Sequence, residues 1–333
     1  MTHLGGSLQG TESKSVASIS PYLATHNRIH TTRFELISHA YAQSTIRKYR
    51  KGFLEFYQWC DMNGENPTCM EELDDVMCDY ICWLYEEDLP KSRANNALYG
   101  TLVFVRGSRG LLHYSYLSLR GWTRLRPPTS HTPMTWNMAV VVAWRLAAMG
   151  QWRIAVGVLV MFDGLLRIGE LLALRRDDVM DLGDPRTPRS KTFRLALWHT
   201  KTGRNKSATL DHGHVRAMVR GLVSCTSRGE RLFPFSASTF RRWFHRACAD
   251  MGLHHNRYVP HSLRHGAATE MYIIGFSLSA IMEKGRWAVH KSATHYIQEG
   301  PALLADTHIP KRVADLAVVL TRNVGSYLYY ASQ

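Results

Sequence analysis

A proline-rich segment divides this chain into two parts that must fold separately. Residues 126–133 read RPPTSHTP, with three prolines in eight residues and no periodic apolar positions. Proline fixes φ and lacks the backbone N–H, so neither a helix interior nor a central strand can run through this segment. The sequence therefore predicts an extended linker over 126–133, between one domain over 26–125 and a second over 134–333. A chain of 333 residues is long enough for each domain to bury its own core.

The first domain carries a helical pattern. Residues 1–25 are rich in Ser, Gly and Thr and have no hydrophobic period, so we expect them to be disordered. Apolar side chains recur at steps of three and four over residues 46–57, which predicts a helix capped by Ser44. Similar patterns over 76–84 and 92–105 predict two more helices. We therefore expect a small all-helical domain.

The second domain combines helices with one hairpin. Residues 192–199 alternate between apolar and polar, a turn follows at 202–205, and 206–210 can return as a partner strand. Helical patterns cover residues 137–149, 152–162, 240–251, 262–274, 278–284, 292–298 and 310–320. The predicted fold class is therefore mainly α with a small β-sheet. The last helix has an apolar face that could pack on its own domain or on a neighbouring subunit.

The net charge of +14 is unevenly placed. Residues 131–333 carry 27 Lys and Arg against 14 Asp and Glu, and Lys91–Arg126 holds seven basic residues and no acidic one. Such a distribution favours a protein that lies along a polyanion, although a soluble protein with a high isoelectric point would also have it. The longest uncharged apolar stretch, Ile154–Phe162, is too short for a membrane span. Six scattered Cys and the absence of a secretory leader pattern favour an intracellular, reduced setting.

One arginine lies where a charge is costly. Arg167 is inside a strongly apolar stretch, with Glu170 three residues later and Asp163 four residues before. Both acids can reach Arg167 if the three lie on one helix face. The functional interpretation is that Arg167 takes part in the chemistry of a site. The alternative is that Arg167 only forms a local ion pair.

A second cluster follows Pro260. His261 and Arg264 are three residues apart, so they share a helix face near its N-terminus, where an anionic oxygen is well accommodated. The small residues at 266–268 allow this helix to pack closely against its neighbours. A zinc site on His261 and His265 is the alternative, but no further ligand stands at a metal-site spacing nearby, so no metal is predicted.

Four ordered strings of the chain resemble the motifs of the tyrosine recombinases, the phage integrase family of DNA breaking-rejoining enzymes. They are GLLRIGELLALRRDDV, HTKTGRNKSATL, HSLRHGAAT and GRWAVHKSATHYI. The resemblance covers residues 133–300, and the helical domain before it matches the family's core-binding (SAM-like) domain in size and position. Trp287 stands where many members have His, which resembles the eukaryotic mobile-element types DIRS, Ngaro and Crypton.

The resemblance implies a complete catalytic set and no cofactor. Its members are Arg167, Lys201, His261, Arg264, Trp287 and Tyr296. Tyr296 would attack the scissile phosphate and form a 3′-phosphotyrosine, while the two arginines hold the non-bridging oxygens. His261 would act as the base and Lys201, at the hairpin tip, would protonate the leaving 5′ oxygen. The indole N–H of Trp287 would donate to a phosphate oxygen, and Glu170 would orient its neighbours.

The resemblance also implies double-stranded DNA as the partner and a homotetramer on paired sites. Predicted DNA contacts are Arg204, Lys206, Arg241, Arg242 and Arg246 in the second domain and Lys48, Arg50, Lys51 and Arg93 in the first. Their alternative is an ordinary solvated face. We expect the protein to act in the nucleus of a eukaryotic host, or otherwise in the cytoplasm with the genome.

Three rival interpretations remain open at this stage. The first is a DNA-binding protein that keeps the recombinase fold but no longer cuts, such as a domesticated transposon protein. The second is a type IB topoisomerase, which uses the same chemistry to relax DNA. The third is an unrelated basic helical scaffold whose motifs match by coincidence.

Overall fold

The computed structural model describes residues 39–127, 131–182, 184–186, 191–200 and 203–326. The chain divides into two compact units, residues 1–129 and 130–333. The predicted disordered segment 1–25 lies outside the described residues, as does Lys201. None of the described helices is both long enough and apolar enough to cross a bilayer.

The first unit consists, over its described residues, of four helices. They are α1 (Gln43–Asn63), α2 (Met70–Glu86), α3 (Lys91–Phe104) and α4 (His113–Leu125). The core of this unit contains Tyr80, Leu84 and Leu98, which are fully buried. The predicted cap at Ser44 is wrong, because α1 is preceded by Ala42 and Ser44 lies inside the helix. The apolar pattern did not predict α4, which buries a serine and leaves several large apolar side chains exposed.

The second unit combines a small antiparallel sheet with helices. Its described helices are α5 (Trp136–Ala148), α6 (Trp152–Asp163), α7 (Ile168–Ala173), α8 (Gly213–Ser224), α9 (Ala237–Asp250), α10 (Pro260–Ile273), α11 (Leu278–Gly285), α12 (His290–Thr294), α13 (Glu299–Asp306) and α14 (Lys311–Arg322). The strands are β1 (Val179–Met180), β2 (Arg194–Thr200) and β3 (Gly203–Thr209), paired in the order β1-β2-β3. The prediction of a mainly α fold with a small sheet is confirmed. Strand β1 was not predicted, because two residues carry no period.

The core of the second unit is built around α5 and α6. Helix α6 is buried at every position from Ile154 to Asp163. Helix α14 packs on the same core through Val313, Ala317 and Leu320, which are each at most 2% exposed. Of the two alternatives left open for this helix, the structure therefore has it packed on its own domain.

Candidate active site

The chain turns sharply between α6 and α7, and this turn places Arg167. Leu165 adopts the left-handed region at φ 46°, which is uncommon for a residue with a β-carbon. Arg167 then begins α7 as its N-terminal cap, with extended backbone. Asp163, which was expected to pair with Arg167, is turned away by this break. Its carboxylate instead accepts from the backbone N–H groups of Asp211 and His212 at 3.1 and 3.0 Å.

Glu170 is the shared anion of the site. Its side chain is 4% exposed, and its carboxylate accepts from Arg167 Nη1 at 2.8 Å and from the Arg167 backbone N–H at 3.0 Å. Arg286 Nη2 donates to the same carboxylate at 3.1 Å, and Arg264 Nη1 lies 4.0 Å away. Burial acts to raise the pKa of Glu170, but Arg286 and then Arg167 outweigh it, so the pKa is lowered. Glu170 is therefore ionised among three guanidiniums, Arg167, Arg264 and Arg286, which we call the guanidinium cluster.

Helix α10 carries the predicted histidine and second arginine. Pro260 occupies its first turn, where the missing N–H costs nothing. Gly266 permits close packing, because a β-carbon there would lie 1.6 Å from the carbonyl oxygen of Met134. This agrees with the close approach predicted for the small residues at 266–268.

Arg264 is completely buried and faces the aromatic residues of the site. Its Nη2 donates to the Gly285 carbonyl at 2.6 Å, and its Nη1 donates to the Leu165 carbonyl. The guanidinium carbon lies 4.6 Å from the centre of the Trp287 ring and 5.3 Å from that of Tyr296. Burial and then the charge of Arg167 lower its pKa to about 9, so it stays charged at neutral pH. Two of its five N–H groups bind these carbonyls, and its buried Nε has no partner within the described chain.

Tyr296 meets the histidine predicted to act as its base. The phenolic oxygen lies 3.0 Å from His261 Nε2. Burial and then the Arg264 charge lower the pKa of His261 to about 4, so its imidazole is neutral at pH 7 and can accept the phenolic proton. The Tyr296 ring also packs against Trp287 and His265, with centroid separations of 4.8 and 4.5 Å.

The segment that carries Tyr296 differs from the prediction. A helix over 292–298 was expected, but α12 spans His290–Thr294 and Tyr296 lies in the turn after it. This turn is held by α10, because the Thr269 hydroxyl donates to the Tyr296 carbonyl at 3.2 Å and accepts from the Gln298 N–H at 3.0 Å. These long-range bonds have no signature in the local sequence.

Trp287 forms one wall of the site. Its side chain is 8% exposed, and its indole nitrogen is buried with no hydrogen-bond partner among the described residues. The ring lies against Gly285, where a β-carbon would come within 1.9 Å of it. Glycine at position 285 is therefore what allows the ring to pack there.

None of the contacts described above involves a residue that was predicted to contact DNA. Arg241, Arg242 and Arg246 are exposed on α9, and Arg246 pairs with Asp250 at 3.1 Å. Lys206 lies on β3, as does the backbone of Arg204, whose side chain is outside the described part of the chain. In the first unit Lys48 and Arg50 are exposed, while Lys51 and Arg93 lie 3.6 and 3.1 Å from the carboxylate of Glu55.

Three contributors were not predicted: Leu165, His265 and Arg286. His265 is 1% exposed, and burial lowers the pKa of its imidazole to about 3. The charge of Arg286 between Gly285 and Trp287 was a signal in the sequence, whereas the backbone of Leu165 gave none. Within the described ranges, no group of three or more His, Cys, Asp or Glu is arranged to hold a metal ion.

Comparison with known proteins finds a family match and relatives. The model described as the phage integrase family matches residues 143–302. The integrase of Mycobacterium phage FRAT1 is 30% identical over 172 residues, an alignment that covers 46% of this chain and 50% of that integrase. The integrase of Mycobacterium phage D29 is 28% identical, with 46% and 44% covered. The chain thus spans about half the length of the curated relatives it matches.

Two solved structures share the fold. A lambda integrase dimer bound to a COC′ core site matches with a TM-score of 0.51 and 12% identity, covering 84% of each chain. The Tn1549 transposon integrase in complex with transposon right end DNA matches with a TM-score of 0.51 and 12% identity, covering 89% of this chain and 99% of that one. The family match and the ordered motifs agree: residues 143–302 belong to the phage integrase family, the tyrosine recombinases. The eukaryotic mobile-element subtype stays a prediction.

Proposed function

We propose that this protein carries out site-specific DNA recombination by cutting and rejoining strands through a 3′-phosphotyrosine, as part of a mobile element. The observation that carries the proposal is the 3.0 Å contact between His261 Nε2 and the Tyr296 hydroxyl, beside the buried charge of Arg264. The proposed nucleophile, its base and a cation for the phosphate thus lie next to one another.

The first step makes one bond and breaks one. The Tyr296 oxygen attacks the scissile phosphorus while its proton passes to the neutral His261 imidazole. The bond from phosphorus to the 5′ oxygen breaks, and that oxygen leaves with a proton, for which Lys201 is the proposed donor. The DNA is then linked to Tyr296 through its 3′ phosphate. Attack by another 5′ hydroxyl reverses these transfers, so religation needs no external energy source.

The charge on the transferring phosphate would be met by the guanidinium cluster. Three arginines face one glutamate, so the cluster keeps an excess of positive charge for an anionic substrate. Arg264 retains N–H groups beyond those bound to carbonyls, and Arg167 keeps about a fifth of its side chain exposed. The buried indole N–H of Trp287 is a further donor with no protein acceptor among the described residues. Fixed donors of this kind stabilise a phosphoryl transition state without reorganisation.

The partner proposed for this site is double-stranded DNA. The basic excess of residues 131–333 and the exposed arginines of α9 suit the phosphate backbone. We further propose that the protein works as a homotetramer on paired sites and acts where the host genome lies, in the nucleus of a eukaryote or in a bacterial cytoplasm.

Covalent capture of DNA tests the proposal. The protein is incubated with a pool of randomised duplexes that each carry a nick, so that cleavage releases a short fragment and cannot be reversed. We expect denaturing gels to retain a protein–DNA adduct whose linked peptide contains Tyr296, with one sequence enriched in the trapped DNA. Specific DNA binding without any adduct would instead favour the non-cutting rival, and relaxation of supercoiled DNA without sequence enrichment would favour the topoisomerase.

A further inference from the structure

We infer that Arg286 is a positioning residue that holds the two candidate phosphate-binding arginines, Arg264 and Arg167, in their working orientation. The inference rests on the proposed function and deepens it. Nothing in the motif pattern assigned a role to this arginine.

The backbone of Arg286 is the first argument. It caps the C-terminus of α11 in the left-handed region, with φ 59°. Glycine is the ordinary residue in such a cap, because a β-carbon is strained there. A strained backbone persists where the surrounding structure requires it. The side chain of Arg286 must therefore make stabilising contacts that glycine, which has no side chain, could not make.

The contacts of Arg286 are the second argument. Its side chain is 5% exposed. Its Nη1 donates to the carbonyls of Gly164 and Lys284, each at 3.0 Å. Its Nη2 donates to the Leu165 carbonyl at 2.8 Å and to Glu170 at 3.1 Å. Both terminal nitrogens are thus engaged by protein acceptors, which favours a positioning role over direct contact with phosphate.

Two of these acceptors are shared with the other arginines. The Leu165 carbonyl also accepts from Arg264, and the Glu170 carboxylate also accepts from Arg167. Leu165 is itself in a strained conformation that aims its carbonyl at the cluster. Loss of Arg286 would leave that carbonyl and that carboxylate less restrained. The guanidinium groups of Arg264 and Arg167, which bind the same two acceptors, would then be held less firmly in orientation.

A glycine substitution separates this role from helix capping. Arg286→Gly removes the guanidinium but suits the left-handed backbone. Arg257→Gly is the matched control, because Arg257 is also a left-handed cap, at φ 49°, with an exposed side chain. The rate of covalent capture is measured at saturating DNA on a duplex from the selected pool and on the same duplex with a methylphosphonate at the scissile position. A methylphosphonate lacks the negative charge that the arginines would stabilise.

We expect Arg257→Gly to capture the phosphodiester like the wild type and Arg286→Gly to be slower by about tenfold to a hundredfold, the scale of a misplaced catalytic group. On the methylphosphonate the defect of Arg286→Gly should shrink severalfold. An equal loss on both substrates would mean a general structural role, and no loss would mean no role; either overturns the inference. An inactive wild type would contradict the proposed function as well, which distinguishes the two failures.

A second variant keeps the test decisive if Arg286→Gly does not fold. Arg286→Lys retains a positive charge beside Glu170 but offers one ammonium where the guanidinium offers two terminal nitrogens. We expect a smaller loss with the same dependence on substrate charge. A lysine variant with equal losses on both substrates, or none on either, overturns the inference.

Discussion

His261 and Tyr296 are 35 positions apart in the chain, yet the imidazole nitrogen and the phenolic oxygen lie within one hydrogen bond, at 3.0 Å. The pair joins the start of α10 to the turn after α12. Since burial keeps the His261 imidazole neutral at pH 7, with a pKa of about 4, the pair has the geometry that the proposed proton transfer requires.

Removal of the phenolic oxygen should abolish covalent capture and spare DNA binding. Tyr296→Phe keeps the ring that packs against Trp287 and His265 but has no nucleophile. Affinity should stay within about threefold of the wild type, because phosphate contacts on the basic surface supply most of the binding. Denaturing gels measure capture, and band-shift titration measures affinity. An adduct formed by Tyr296→Phe would show that another residue is the nucleophile.

Arg167→Lys should slow capture by about a hundredfold or more, the scale for loss of one transition-state donor. Lysine can keep a charge near Glu170 but cannot make the planar fork that binds a phosphate through two nitrogens. Arg145→Lys is the control, since Arg145 forms an ion pair with Asp250 at 2.8 Å in the same unit. Near-normal single-turnover capture by Arg167→Lys would contradict the role proposed for the cluster.

Gly285→Ala should reduce capture by at least about tenfold through Trp287 and Arg264. The new methyl group would lie 1.9 Å from the Trp287 ring, and the Gly285 carbonyl is a partner of Arg264. Gly300→Ala in α13 is the control, because a β-carbon there meets no atom within 4 Å. Capture assays and thermal melting of both variants make the comparison, and equal behaviour of the two would refute the packing argument.

Acid should destabilise the second unit through its buried histidines. The pKa of His265 is about 3 in the folded chain against the ordinary 6.5, so the unfolded chain binds a proton that the folded chain does not. Stability is therefore unaffected by this group above about pH 6.5 and falls as the pH drops from 6.5 towards 3. His265→Phe should show a smaller decrease in melting temperature over that range. A decrease as steep as that of the wild type would contradict the assignment.

The sequence predicts the site better than it predicts the backbone that builds it. The family resemblance selected Arg167, His261, Arg264, Trp287 and Tyr296, and the structure brings their side chains together. Eight of the ten described helices of twelve or more residues were predicted from their apolar period. Of the two acids predicted to reach Arg167, Glu170 pairs with it. The prediction for Asp163 is wrong, because its carboxylate binds backbone N–H groups after β3. The two acids do not share one helix face with Arg167, because the chain turns at Leu165 between α6 and α7.

The residues that hold the site residues in place were harder to predict, because they act through long-range contacts. Three of the four acceptors of Arg286 are carbonyl oxygens, which every residue possesses and no motif records. Tyr296 was placed on a helix because the residues around it carry a helical pattern, yet hydrogen bonds from a threonine on another helix hold it in a turn. Such long-range contacts decide positions that local preferences leave open.

Thr269, which holds the turn of Tyr296, stands on α10 at two successive steps of four residues after His261, with His265 between them. Eight residues of helix rise about 12 Å. The distance from His261, the proposed base, to Thr269, the anchor of the Tyr296 turn, is therefore set within a single helix. The loops and short helices between residues 274 and 295 position Gly285, Arg286 and Trp287 but do not set this distance. A one-residue insertion within α10, by contrast, would rotate the anchor away from the base by about 100°.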